Sequence, residues 1–236
     1  MMITRVFTLA LLILLLTGFT GQYIFQKIAM EMEIRSATAG NAVRTKASIY
    51  YTSEGKMLSY FSEPQEMVIV NNKKGEITIY DPLNNTVAQQ QNFMLSTETN
   101  QLYFFLENKR ADLGLSAMGY TIRNTKIEDG LKITEWNPPM ALVKDISLVE
   151  LVHEKGNPIF MGYYAANGNV IKKTFFYSYT KVSDYISLPS AVTQIDYKST
   201  TDSVVTKTSY TKFRLNQQVE DAKLTFEVPK NAKLIR

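Results

Sequence analysis

The chain has 236 residues, with 26 Lys and Arg against 22 Asp and Glu, one His and no Cys. That length suits one domain, and 45% hydrophobic against 20% charged residues is enough to bury a core, which excludes a disordered protein. The missing cysteines exclude disulfides, a thiol nucleophile, thiolate metal sites and a lipidated N-terminal cysteine; the single His153 excludes multi-histidine metal centres, and a net charge of +4 is too small to indicate nucleic acid.

Arg5 is the only charge before Lys27, and the apolar run 6–16 that follows it breaks at Thr17-Gly18. A bilayer-crossing helix needs roughly 20 apolar residues, so this shorter run reads as a secretory signal over 1–20, leaving 21–236 as one mature domain. An uncleaved inner-membrane anchor is the alternative. From Gln22 to about Ala39 the spacing of Tyr23, Ile24, Ile28, Met32 and Arg35 predicts a helix, stopped at Gly40-Asn41.

Period two then takes over. Strands are expected at 43–52 and 56–62 around a Ser53-Glu54-Gly55 turn, closed by Pro64, which cannot donate to a ladder. The next hairpin pairs 66–71 with 76–80 across Asn72-Lys73-Lys74-Gly75, and 86–91 follows the turn 81–85. The run 93–118 breaks the rhythm, because Phe93, Met94, Leu95, Leu102, Phe105, Leu106, Leu113 and Met118 are spaced for short helices. Strands resume at 120–127, 131–136, 146–153, 158–165, 170–179, 191–199, 203–215 and 224–228, separated by turns such as Glu128-Asp129-Gly130 and Lys155-Gly156-Asn157. The sum is a mainly β protein built on one large, strongly curved antiparallel sheet, with helices at its start and in its middle.

Catalytic signatures are missing. Gly114–Gly119 has the wrong spacing for a nucleophile elbow, and there is no Walker loop, dinucleotide fingerprint, zinc-protease motif or calcium loop. The pairs Glu31/Glu33, Glu128/Asp129 and Glu220/Asp221 read as solvated turns and caps; Glu63/Glu66, which straddles Pro64, is the one pair that could act on a polysaccharide. His153 reads as a strand-end residue, and Lys172-Lys173 beside Phe175-Phe176 as a solvated turn. A binding protein without catalysis, cofactor or metal fits this composition better than an enzyme.

Two stretches then carry a resemblance. Gly55-Lys56-Met57-Leu58-Ser59-Tyr60-Phe61-Ser62-Glu63-Pro64, continuing through Met67 to Val70 and Ile77-Thr78-Ile79-Tyr80-Asp81-Pro82, resembles the outer-membrane lipoprotein carrier (LolA) family: a glycine opening a strand, a proline closing it, an apolar strand, a turn, and a strand ending in tyrosine and Asp-Pro. Val219-Glu220-Asp221-Ala222-Lys223-Leu224-Thr225-Phe226-Glu227-Val228-Pro229 is similar to the family's closing strand. The likeness covers nearly all of 22–236 through order and spacing. It implies an unclosed antiparallel β-barrel with an N-terminal helix and a central helical lid. It also implies a periplasmic, monomeric shuttle for an acylated lipoprotein or lipid, taken from an inner-membrane donor complex and passed to an outer-membrane acceptor. Barrels of this kind also serve as envelope sensors, so a regulatory module contacting a protein partner is the alternative function.

An acyl-chain carrier requires an apolar concavity and no reactive group, since each buried methylene contributes roughly 0.8 kcal/mol. By strand parity Met57, Ser59, Phe61 and Glu63 share a face, which Met67 and Ile69 continue on the next strand. The expected lipid-binding set is Met57, Phe61, Met67 and Ile69 from the sheet, Phe93, Met94, Leu95, Leu102, Phe105 and Leu106 from the inward face of the lid, and Met118, whose flexible thioether adapts to different chains. The family carries an inward arginine before the proline, hydrogen-bonded to the lid. Here that position is Glu63, whose carboxylate lacks the guanidinium donors, so Glu63 is expected at the lid or barrel rim.

Overall fold

The computed structural model describes residues 25–38, 40–199 and 201–235. The expected signal over 1–20 lies outside the described residues. Where a helix is expected after it, the chain forms strand β1 (Lys27–Thr38), paired along its whole length with β2 (Asn41–Thr52). The reason is arithmetic. Ile24, Ile28 and Met32 recur at four, a multiple of two as well as about one helical turn, and Met30 and Ile34 complete the alternation. Twelve cross-strand pairs with β2 and a second ladder to β13 (Ser203–Leu215) then decide for strand.

The sheet continues through β3 (Met57–Glu63), β4 (Met67–Asn71), β5 (Glu76–Asp81) and β6 (Thr86–Gln91). A central segment follows: 3-10 turns at Phe93–Leu95 and Thr97–Thr99, helix α1 (Gln101–Leu106), and turns through residue 119. The second half contains β7 (Thr121–Glu128), β8 (Leu131–Asn137), β9 (Leu148–Glu154), β10 (Asn157–Tyr164), β11 (Val170–Lys181), β12 (Ser187–Tyr197), β13 and the short β14 (Lys233–Ile235). The 14 strands form one sheet, ordered β14-β6-β5-β4-β3-β2-β1-β13-β12-β11-β10-β9-β8-β7. Neighbours are antiparallel except β14, which runs parallel to β6. The free edges β7 and β14 do not meet, so the barrel is unclosed.

Register shifts accompany the curvature. They occur between β1 and β13 at Ala29/Glu31, β2 and β3 at Lys46/Ala47, β7 and β8 at Ile122/Asn124, β10 and β9 at Pro158/Phe160, and β10 and β11 at Tyr163/Tyr164. An extra residue on one strand bends it and sharpens the local twist.

The concave side holds the main core. Ile28, Met30, Ile49, Tyr51, Leu151 and Phe176 pack there, and Leu102, Phe105, Leu106, Leu113 and Leu115 of the central segment enter the same cluster. The convex side carries a smaller cluster of Ala29, Tyr50 and Leu58 under Val219, with Leu224 and Phe226 against it. The expected strand over 224–228 is instead a strap across that face: Tyr60 donates through its hydroxyl to the carbonyl of Lys223 at 2.9 Å, and Lys56 Nζ to that of Leu224 at 3.0 Å. The strap forms no ladder over 225–232, and pairing resumes only where β14 reaches β6.

Candidate functional site

Directly opposed residues in an antiparallel ladder share a face, so the register defines the concave surface row by row. One row runs Met67, Phe61, Ala47, Met32, Tyr210 across β4, β3, β2, β1 and β13. The next runs Ile79, Ile69, Ser59, Ile49, Met30. A third aligns Ile77, Asn71, Met57, Tyr51 and Ile28.

Burial divides these rows. Met57, Tyr51, Met30 and Ile49 are inaccessible beneath the central segment. Met32, Ile34, Phe61, Met67, Ile69 and Ile79 are only half-buried. The result is a partly open apolar trough on β1 to β5, whose Met32 and Phe61 also pack against the main core. The phenol of Tyr210 at its end is pushed up to about 12 by burial, so it stays neutral.

The central segment fills the middle of the concavity, so the concave face is not an empty vault. Leu102, Phe105 and Leu106 face the core at 5%, 2% and 0% exposure. Leu95 is half-buried, whereas Phe93 and Met94 are 65% and 73% exposed, which corrects their expected inward orientation. Their 3-10 turn is tied at the β4–β5 turn, where the Asn92 N–H donates to the Gly75 carbonyl at 3.0 Å. Gly75 has φ +74°, and a Cβ there would lie 2.1 Å from the Asn92 oxygen, so only glycine permits this approach. Met118 is 51% exposed but lines a cleft of about 230 Å³ between the central segment and β10–β12, together with Phe104, Leu113, Met161, Tyr163, Lys172, Thr174 and Gln194.

Polar contacts hold the segment at both ends. Ser96 Oγ donates to the Lys73 carbonyl at 2.7 Å and the buried Thr97 Oγ1 to that of Gly55 at 2.9 Å. In the middle, the Tyr51 hydroxyl donates to Glu107 Oε1 at 2.9 Å. At the far end, Arg110 Nη1 donates to Asn157 Oδ1 at 2.6 Å, and His153 Nε2 meets the Arg110 carbonyl at 2.9 Å.

Glu63 takes no part in these contacts. The register shift at Lys46/Ala47 places it opposite Lys46, off the inner row assigned by simple alternation. Its carboxylate accepts from Lys46 Nζ at 2.7 Å and lies 3.7 Å from Arg44 Nε, with the side chain 39% exposed at the rim. Glu66 is exposed in the following turn. Among the described residues no group of three or more His, Asp or Glu is arranged to hold a metal ion, and no helix is long and apolar enough to cross a membrane. Sequence reasoning missed Tyr163, Lys172, Thr174 and Gln194. The alternation of β11 contains the signal, since Lys172, Thr174 and Phe176 share one face.

No family model and no curated protein matches the chain. Solved structures do. A DUF1329 family protein from Desulfovibrio piger superposes with a TM-score of 0.56 at 15% identity, over 86% of this chain and 90% of that one. A LolA superfamily protein from Nitrosomonas europaea gives 0.54 at 12%, over 86% and 92%. An outer membrane lipoprotein-sorting protein domain from Vibrio parahaemolyticus gives 0.56 at 12%, over 84% and 88%. The chain has a LolA-like fold.

Proposed function

We propose that the protein is a non-catalytic periplasmic carrier that holds the acyl chains of a lipoprotein or lipid against the trough of Met32, Phe61, Met67 and Ile69. The row Met67–Phe61–Ala47–Met32 carries the reading: an aligned apolar strip on the inside of a curved sheet, half-buried at Met67, Phe61 and Met32 and buried at Ala47. Such surface is costly to leave in water and is covered either by the chain itself or by a ligand. The LolA-like fold and the N-terminal run 6–16 support export and this class of cargo. Met57, Leu102, Phe105 and Leu106 are already packed together, so they join the ligand surface only when the central segment swings away, a shift between two populated states.

Native mass spectrometry of protein purified from membranes tests the reading. Retained acylated material is expected, and an empty protein in repeated preparations overturns it. One observation favours the alternative of a module that contacts a protein partner: edge strand β7 is exposed throughout, with Ile122 and Ile127 at 59% and 77%. An exposed strand edge offers unpaired backbone groups to another chain. A pull-down that depends on β7 with no lipid retained decides for that reading.

A further inference from the structure

The concave face is not uniformly apolar. Across β1, β13, β12 and β11 one inner row runs Ser36, Thr206, Gln194, Thr174, ending on Met161 of β10. Its neighbour runs Val204, Asp196, Lys172, Tyr163. These rows continue the same wall as the trough, so polarity changes along one surface, from mostly apolar side chains on β3 to β5, interrupted by Ser59 and Asn71, to hydroxyls, amides and a charge pair on β11 to β13.

The polar end is organised. Both carboxylate oxygens of Asp196 are engaged: Gln194 Nε2 donates to Oδ2 at 2.6 Å, and Lys172 Nζ lies 3.5 Å from Oδ1. The Lys172 ammonium also lies 5.9 Å from the centre of the Tyr163 ring. Asp196 thereby orients two residues that line the 230 Å³ cleft, while its own charge is spent on them. What the cleft offers a ligand is the remaining ammonium protons of Lys172, the Thr174 hydroxyl and the amide of Gln101, the first residue of α1, which also lines it. At about 30 Å³ per water molecule in the liquid, the volume has room for a small polar group.

Resting on the carrier reading above, we propose that this cleft is the headgroup subsite. The ligand is an amphiphile that lies along the concave wall with its chain on Phe61 and Met67 and an anionic, oxygen-rich head, such as a phosphate ester, at Lys172, Thr174 and Gln101. A hydrogen bond to a charged group contributes more than one between neutral partners, so the head sets orientation and preference while the chain sets most of the affinity.

Calorimetric titration of the purified protein with dodecyl phosphate and with dodecanol, below their aggregation concentrations, separates head from chain. The wild type is expected to bind the phosphate about tenfold tighter, the effect of one charge-assisted contact. In Lys172→Met the two affinities converge on that of dodecanol, and Lys172→Arg keeps the preference. Phe61→Glu weakens both ligands, and inorganic phosphate alone does not compete. Equal wild-type affinities, a preference that survives Lys172→Met, or competition by inorganic phosphate overturns the subsite while leaving the carrier reading intact. Failure of both alkyl compounds to bind overturns the carrier reading and the subsite with it.

Discussion

His153 Nε2 and the carbonyl oxygen of Arg110 lie 2.9 Å apart, joining strand β9 to the far end of the central segment. A carbonyl only accepts, so Nε2 carries the proton and the neutral ring leaves Nδ1 bare. Nδ1 is buried with no hydrogen-bond partner, Lys132 stands directly across the ladder, and Lys155 lines the adjoining cleft. Burial pulls the imidazole below its ordinary 6.5; the Lys132 and Arg110 charges add to this, and the Arg110 hydrogen bond opposes it. The folded protein therefore resists taking a proton that the opened chain accepts. This contribution to stability is fully present above pH 6.5 and is lost as pH falls through the lowered folded value. Melting temperatures are expected to drop between pH 7.5 and 5.5 by more in the wild type than in His153→Gln, whose amide can still donate to Arg110. Parallel curves for the two proteins contradict this.

Phe61 is half-buried in the trough, whereas a lining residue differs from a core residue in what its loss affects. Phe61→Glu is expected to cut retention of an acyl ligand at least about tenfold by putting a charge where a chain lies. Because the side chain already meets solvent, the cost in folding stability is about 1–2 kcal/mol, read from urea denaturation. A large fall in stability with unchanged retention makes Phe61 plain core.

Leu106 of α1 is 0% exposed inside the main cluster. Leu106→Ala leaves a cavity beneath the central segment and is expected to cost about 2–5 kcal/mol. Since the Leu106 side chain helps to seat the segment on the sheet, faster amide exchange is expected over 101–119, with β12 and β13 protected as before. Uniform acceleration across the sheet counts against separate movement of the segment.

Phe226 packs on the convex side, its ring 5.7 Å from that of Tyr80 and 6.3 Å from that of Tyr60. Phe226→Ala is expected to destabilise the protein by about 1–3 kcal/mol through weaker ring packing and a smaller buried area. The site lies across the sheet from the trough, so ligand affinity measured by calorimetry should stay at the wild-type value. A parallel loss of affinity would mean that the strap controls the concave face.

The pattern of residues along the chain determined a good deal. Alternation and turn chemistry located the strands from 43 to 91 closely, and the same alternation put Ser59 and Phe61 on the face that Met67 and Ile69 continue; in the ladder Phe61 sits opposite Met67 and Ser59 opposite Ile69. Local chemistry suffices there because neighbouring strands are joined by short hairpins, so sequence distance and spatial distance agree. Three things needed the assembled molecule. β1 reads as a helix until it meets β2 and β13, since a spacing of four serves both periods and only pairing decides. Glu63 leaves the inner row because of a register shift against Lys46, and bulges come from the fit between strands. The depth of the trough was settled by tertiary packing: Met57 and Met30 are buried in one cluster with the central segment while Met32 and Phe61 stay half-open, a matter of contacts between residues far apart in the chain that no local periodicity encodes.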